Sequence, residues 1–199
     1  MADKSFFEVV RSQRGIRRYA PDPVPDEVVD RILQAAVWAP SGSNRQPWAF
    51  IVIRDREVKR RMGELYRAGS AAARGEDPPP AAPPSDEEWA DLSEHMEDVP
   101  VLIMCCFERW DTRGGRELLV GAHLFPAVQN LLLAASALGL GTRLTTIWQH
   151  RDAEVKELLG LPENVEAIAL IPLGYPGGGE HLGGSRRTPV ADVTHYDRW

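Results

Sequence analysis

Pro40-Ser41-Gly42-Ser43-Asn44-Arg45-Gln46-Pro47-Trp48 organises the rest of the chain, because a helical pattern enters this stretch and an apolar run leaves it. Pro40 ends the helical pattern, since its ring clashes with the preceding turn and it has no N–H to donate. The small polar residues after it can bond to the loop backbone or to a ligand, and Gly42 permits close approach of the backbone. Composition alone also fits an ordinary connection between a helix and a strand.

The segments on either side of this stretch predict a mixture of helices and strands. Apolar residues before it recur at helical spacing, which predicts a helix with one buried face: Val29, Ile32, Leu33, Ala36 and Val37. Continuous apolar runs at 48–53, 100–107 and 167–175 are typical of strands buried on both faces. A shorter run at 143–147 predicts one more strand.

Composition and charge limit the classes of function. The chain has 199 residues, of which 43% are hydrophobic and 26% charged, and we expect one domain over 1–199. The net charge of −6 argues against broad nucleic-acid binding. Cys105 and Cys106 are neighbours without a metal-binding or CxxC pattern, so we expect buried thiols in a reducing, cytoplasmic location. The first residues lack the apolar core of a signal peptide, and we expect none.

The most apolar part of the chain lies at 116–138 and predicts a long helix that is buried between layers or between subunits. Because polar residues and Pro126 interrupt the apolar run, we interpret it as a buried helix and expect no membrane span. His123 lies on this helix without a second metal ligand or a nucleophile at helical spacing. We therefore interpret His123 as a hydrogen-bonded core or interface histidine.

A segment of low complexity lies at 68–85, where alanine and glycine are followed by several prolines. Such a composition cannot pack a core, so the segment is expected to be extended or mobile. It is either a passive surface insertion or, because long loops in compact domains are often functional, a lid over a pocket.

Basic residues occur in two short groups. Arg14-Gly15-Ile16-Arg17-Arg18-Tyr19 suits an anion, because arginine offers a planar fork of donors and glycine lets backbone N–H groups approach closely. A solvated basic turn is the simpler alternative. The second group, Arg186-Arg187-Thr188-Pro189, precedes an aromatic-rich end at 192–199, which suggests a tail docked on another surface.

Along nearly its whole length, the chain resembles the nitroreductase family of FMN-dependent oxidoreductases. Four features in this order carry the resemblance. They are Arg14-Gly15-Ile16-Arg17-Arg18-Tyr19, the stretch from Pro40 to Trp48, Gly139-Leu-Gly-Thr-Arg-Leu-Thr-Thr146, and Leu173-Gly174-Tyr175-Pro176 followed by Arg186-Arg187-Thr188-Pro189. The second feature is the most specific.

The resemblance implies an α+β fold, a three-layer α-β-α sandwich with a mixed, mainly antiparallel sheet. It implies an intertwined homodimer with two FMN sites at the subunit interface. A variable, Pro-rich lid segment would occupy about 68–98, and a C-terminal arm at about 177–199 would reach across the partner. The apolar helix near 116–138 would then lie in the dimer core.

The resemblance also implies which residues bind FMN. Arg14 and Arg187 would hold the phosphate, and Arg17 would approach the pyrimidine edge of the flavin and stabilise its reduced form electrostatically. The loop after Pro40 would come from the other subunit. The full implied set is Arg14, Gly15, Arg17, Arg18, Pro40, Ser41, Gly42, Asn44, Leu144, Thr145, Thr146, Arg186 and Arg187. Many members have arginine where this chain has Gln13 and serine where it has Gly15.

The implied activity is transfer of hydride from NAD(P)H, through flavin N5, to a small-molecule acceptor such as a nitroaromatic or a quinone, in ping-pong order. No side chain needs to act as a nucleophile, and no metal is expected. Two alternatives remain open. The same fold could support another flavin reaction, such as dehalogenation, dehydrogenation or flavin cleavage, or the protein could bind flavin without turnover.

Overall fold

The computed structural model describes residues 4–76, 92–109 and 117–199, with the side chains of 117–119 excepted. Five helices and four strands have defined bounds. The helices are α1 (Phe6–Ser12), α2 (Asp26–Val37), α3 (Arg56–Ala73), α4 (Glu117–Ala137) and α5 (Asp152–Leu159). The strands are β1 (Trp48–Ile53), β2 (Val101–Glu108), β3 (Gly141–Thr142) and β4 (Val165–Gly174). Short 3₁₀ turns occupy Gly42–Asn44, Met96–Asp98, Ile147–Arg151 and Val190–Val193.

The four strands form one sheet in the order β1-β2-β4-β3, and each neighbouring pair is antiparallel. Gly15 adds an isolated parallel bridge to Thr142 at the β3 edge. Trp48 pairs with Phe107 at one end of the sheet, whereas Gly141 pairs with Gly174 at the other. The register therefore places the start of β1 and the end of β4 at opposite ends of the sheet.

The side chains of β2 show why both sheet faces are covered. Ile103 and Cys105 belong to a core cluster that contains residues of α2 and α4. Leu102 and Met104 point the other way, into a second cluster with residues of α3 and α5. Successive side chains of a strand point to opposite faces, so one apolar strand supplies both cores. The predicted three-layer α+β fold is confirmed.

The predicted strand at 143–147 is wrong. β3 ends at Thr142, Thr145 makes an isolated bridge to Leu170, and a 3₁₀ turn begins at Ile147. Trp148 is fully buried, and its Nε1 donates to the Thr145 carbonyl at 3.3 Å. Burial of this large side chain outweighs the strand preference of the β-branched residues before it.

The low-complexity segment begins later than its composition predicts. α3 continues to Ala73, and Gly69, Ser70 and Ala71 are buried. A Cβ on Gly69 would lie 2.5 Å from the carbonyl oxygen of Ile147, so small residues are needed here for close packing. The expectation that 68–73 is extended is therefore wrong, and residues 77–91 of the predicted lid lie outside the described residues.

The long apolar helix is present as predicted. In α4, Val120–Ala137 is long and apolar enough to cross a membrane, with a mean hydropathy of 1.2, and 39% of this window is buried inside the chain. Core helices of globular proteins pass the same test of length and composition. Asn130 Nδ2 donates to the Ala35 carbonyl at 3.1 Å, which ties α4 to α2.

Candidate functional site

The basic segment after α1 is held by the β3–β4 end of the sheet. Ile16 N donates to the Thr142 carbonyl at 2.9 Å, and Ala20 N donates to the Tyr175 carbonyl at 2.8 Å. Ile16 is fully buried, and a Cβ on Gly141 would lie 2.7 Å from two of its side-chain atoms. These contacts fix the backbone that carries Arg14, Arg17 and Arg18.

Two further groups hold this segment. Glu180 Oε2 accepts a hydrogen bond from Arg17 N at 2.9 Å, and the Tyr19 hydroxyl donates to the Ile16 carbonyl at 2.7 Å. Burial, reinforced by the Glu180 carboxylate, raises the pKa of Tyr19, so the phenol stays protonated and keeps its donor. Glu180 has no sequence signal of its own, and we did not predict it.

The C-terminal segment returns to the same region. Gly183 N donates to the Ser12 carbonyl at 2.9 Å, two residues before Arg14 in the chain. This contact brings the tail that carries Arg186 and Arg187 to the end of α1. Both arginines are exposed, and Arg187 Nη1 donates to the Arg186 carbonyl at 3.0 Å. The backbone that precedes Arg186 and Arg187 thus lies next to the turn that precedes Arg14.

Arg143 adds a cation that sequence reasoning missed. It directly follows β3, and its Cγ would lie 3.9 Å from a Cβ built on Gly15. Within the part of the chain that the structure describes, its Nη1 is buried without a hydrogen-bond partner. Burial of a guanidinium nitrogen without a hydrogen-bond partner costs free energy, and an acceptor atom of a bound ligand would remove this cost. We call Arg14, Arg17, Arg18, Arg143, Arg186 and Arg187 the arginine cluster.

The predicted residues after Arg143 differ in exposure. Leu144 is 37% exposed, whereas Thr145 is 6% exposed and its backbone is tied to Leu170 by two hydrogen bonds of 3.0 Å. Thr146 is half-buried. Leu144 is therefore the side chain of the three that is best placed to meet a ligand at this edge of the sheet.

The stretch between α2 and β1 forms a second region, which we call the serine-glycine loop and define as residues 41–46. Ser43, Asn44 and Gln46 have positive φ angles of 55°, 52° and 51°. Ser41 Oγ accepts from Gln46 N at 2.9 Å and closes the loop. Strained backbone of this kind often occurs at ligand sites. The loop borders an open cavity of about 540 Å³ that Glu108 and Arg109 also line.

His123 of α4 holds the serine-glycine loop. Gly42 N donates to His123 Nδ1 at 2.9 Å. A Cβ on Gly42 would lie 2.3 Å from His123 Cε1, so a larger residue here would require the loop or the ring to shift. The interpretation of His123 as a hydrogen-bonded histidine is confirmed, although its partner in the loop was not predicted.

Within the residues that the structure describes, the serine-glycine loop and the arginine cluster lie in different parts of one chain. The loop lies beside His123, near the start of α4, whereas the cluster lies beside β3, which follows the end of that helix. From His123 to Ala137, a rise of 1.5 Å per residue separates them by roughly 20 Å. One chain therefore presents two candidate half-sites, at opposite ends of the sheet.

Comparison with known proteins gives these half-sites a context. Residues 10–175 match the sequence profile of the nitroreductase family. A relative from Methanothermobacter thermautotrophicus, named putative NADH dehydrogenase/NAD(P)H nitroreductase, is 30% identical over 97% of this chain and 87% of its own length. Iodotyrosine deiodinase 1 of Rattus norvegicus is 26% identical over 97% of this chain and 70% of its own length.

A solved structure agrees on the fold. The NADPH:FMN oxidoreductase of Vibrio harveyi, complexed with NAD⁺, superposes with a TM-score of 0.75 at 22% sequence identity. The match covers 98% of this chain and 77% of the other.

Proposed function

The chain belongs to the nitroreductase family, and from this premise we propose that it is an FMN-dependent oxidoreductase that takes hydride from NAD(P)H. The observation that carries the proposal is the arginine cluster at the β3–β4 end of the sheet. The cluster combines guanidinium donors with the exposed backbone of Gly15 and the buried, unpartnered Nη1 of Arg143. This donor set suits a bound phosphate and the polar edge of a flavin.

Each half-site has a role in this proposal. Arg14 and Arg187 bind the FMN phosphate, with Arg18 and Arg186 beside them, and the Gly15 backbone lies against it. Arg17 and Arg143 supply positive charge near the pyrimidine edge, where Leu144, Thr145 and Thr146 line the ring. The partner chain contributes the serine-glycine loop with its preceding proline, through Pro40, Ser41, Gly42 and Asn44.

Bound FMN supplies the hydride chemistry, so no side chain has to act as a nucleophile. The protein's part is to bind, to orient and to stabilise charge. Fixed guanidinium groups stabilise the negative charge of the reduced cofactor because they are already oriented in a site with little water. The sheet hydrogen bonds of Ile16 and Ala20 fix the backbone from which Arg17 and Arg18 extend.

We further propose a homodimer, because one FMN can reach both half-sites only if two chains contribute. Exposed apolar side chains support this proposal, since Tyr196 is 85% exposed and Trp199 fully exposed in the single chain. A tail docked on a partner would bury both. The cytoplasmic location and the single domain remain part of the proposal. Light scattering that gives a flavin-loaded monomer would contradict the dimer.

A second candidate reaction is reductive dehalogenation of an iodinated or similar phenol. Iodotyrosine deiodinases of several animals match most of the chain, including the protein of Nematostella vectensis at 27% identity over 94% of it. The two reactions would share the cofactor site and differ in the acceptor.

The test is anaerobic spectroscopy of the purified protein with FMN. Loss of the visible flavin absorption on addition of NADPH or NADH, followed by recovery with a nitroaromatic or a quinone, supports the proposed activity. Reduction by dithionite alone, with recovery and iodide release on addition of 3-iodo-L-tyrosine, supports the dehalogenase. Flavin that binds, but that is cycled neither by NAD(P)H with a nitroaromatic or quinone nor by dithionite with 3-iodo-L-tyrosine, would identify a flavin-binding protein without catalysis. A chain that takes up no FMN contradicts all three.

A further inference from the structure

We propose that His123 is a positioning residue for the cofactor. It acts through the Gly42 backbone and sets the place of the serine-glycine loop against FMN. This inference rests on the proposed function, because it takes the loop to contact FMN. It concerns a side chain that lies on α4, outside both half-sites, and that the resemblance does not place among the FMN-binding residues.

The hydrogen bond determines the form of the imidazole. A backbone N–H can only donate, so His123 Nδ1 accepts at 2.9 Å and the neutral ring carries its proton on Nε2. The imidazolium form has donors on both nitrogens and cannot accept this bond. The loop is therefore attached to α4 by a neutral histidine in one defined tautomer.

The same ring also limits how far the loop can move toward α4. The position of a Cβ on Gly42 lies 2.3 Å from His123 Cε1, 3.1 Å from Nε2 and 3.2 Å from Nδ1. The Cε1 edge of the ring thus occupies the space that any larger residue would need. Attraction by Nδ1 and repulsion by the ring edge together fix the distance between loop and helix.

The loop benefits from such an anchor because the hydrogen bonds of Asn44 N and Gln46 N go back to Ser41 and close the loop on itself, whereas the bond to His123 ties it to α4. Three of its non-glycine residues have positive φ, and every residue from Gly42 to Gln46 is exposed. Strained, exposed backbone relaxes when the surrounding contacts do not hold it. We infer that without His123 the loop samples other conformations and that FMN must then order it on binding.

The fold itself should tolerate this change. α4 packs into the core through fully buried Leu124, Ala127 and Leu131, whereas His123 is half-buried. Truncation at position 123 therefore removes the anchor of the loop and leaves the core contacts of the helix in place.

The first experiment measures FMN affinity by quenching of flavin fluorescence and the melting temperature of the apo protein. We expect His123→Ala to weaken FMN binding roughly 3- to 10-fold, the range that one hydrogen bond supplies, with little change in apo melting temperature. His123→Asn can place its Oδ1 near the position of Nδ1 and accept from Gly42, so we expect affinity within about 2-fold of wild type. The exposed His150→Ala is the matched control.

The outcomes separate the inference from the proposed function. Wild-type FMN affinity in His123→Ala overturns the positioning role and leaves the proposed function standing. Equal losses of FMN affinity in His123→Ala and His123→Asn also overturn it. The positioning role depends on a hydrogen-bond acceptor, which asparagine provides and alanine does not. A wild-type protein that binds no FMN overturns the proposed function and this inference with it.

A double-mutant cycle gives an independent readout. Gly42→Ala places its methyl against the His123 ring in the wild-type background, and His123→Ala takes that ring away. Because His123→Ala removes the three atoms nearest to that methyl, we expect the loss of FMN affinity from Gly42→Ala to be several-fold smaller in this background. Additive losses would contradict direct coupling between the loop and the ring.

Discussion

The arginine cluster and the serine-glycine loop are built in opposite ways. The backbone that carries Arg14, Arg17 and Arg18 lies along the sheet edge and packs around fully buried Ile16, whereas Arg186 and Arg187 join the cluster from the exposed tail. The loop is exposed, has three positive φ angles and contacts α4 through His123. A rigid half-site binds a charged group such as a phosphate well, whereas a loosely held half-site can adapt its shape to the bound ligand. We therefore expect the cluster to control cofactor retention and the loop to control how closely the cofactor is enclosed.

The largest effect should come from removing charge in the rigid half-site. We expect Arg14→Ala, Arg187→Ala or Arg143→Ala each to weaken FMN binding by about 1.5–3 kcal/mol, because each removes a charge-assisted hydrogen bond. Flavin fluorescence titration measures the loss. The exposed Arg31→Ala on α2 is the control. Unchanged affinity in all three variants would show that the phosphate and the flavin edge bind elsewhere.

The packing around Ile16 should be nearly as sensitive. We expect Gly141→Ala to lower the free energy of unfolding by about 1–3 kcal/mol, since the new methyl would lie 2.7 Å from the Ile16 side chain. Gly15→Ala is the matched control, because its nearest contact would be an ordinary 3.9 Å. Chemical denaturation of the apo protein compares the two. Similar losses of stability would mean that the half-site is less rigid than its contacts indicate.

A change in the loop should affect binding more than folding. A β-branched residue is strongly disfavoured at the φ of 55° found at Ser43. We expect Ser43→Val to weaken FMN binding by about 1–2 kcal/mol and to leave the apo melting temperature nearly unchanged, because the exposed loop can relax. Ser43→Gly should bind FMN much as wild type does. A large drop in apo stability for Ser43→Val would show that the loop belongs to the folding core.

The smallest effect concerns the pH dependence of stability, to which Cys106 of β2 contributes. Burial raises the pKa of Cys106 to about 11, above its ordinary value of 9.0. Because the unfolded chain loses the thiol proton first, stability is present below about pH 9 and falls as pH rises toward about 11. We expect a loss of at most about 1.4 kcal/mol per pH unit, the slope for a single proton. Denaturation at several pH values should show a shallower decline in Cys106→Ala, and an unchanged slope would contradict this origin.

Local sequence was informative wherever one strong pattern acted alone. The apolar runs of β2 and β4 predicted strands buried on both faces, and alternate side chains of β2 do enter separate cores. The same prediction for β1 is wrong in its burial, because β1 is an edge strand and leaves Ala49 and Val52 exposed. Patterns failed where distant packing outweighed local preference. Where a strand was predicted, burial of Trp148 accompanies a 3₁₀ turn. Where an extended segment was predicted, Gly69 packs closely against Ile147 as part of a helix.

The sequence by itself determined the family, the layered α+β fold and the residue types that a flavin phosphate requires, because these depend on motifs and periodicity within short segments. Only the tertiary structure decided that Arg143 has a buried nitrogen without a partner among the described residues, that Glu180 holds the Arg17 backbone and that His123 anchors Gly42. Each of these contacts joins residues that are far apart in the chain or depends on burial. The physical reason is that hydrogen bonds and exclusion of water depend on distances in space, which local patterns do not encode.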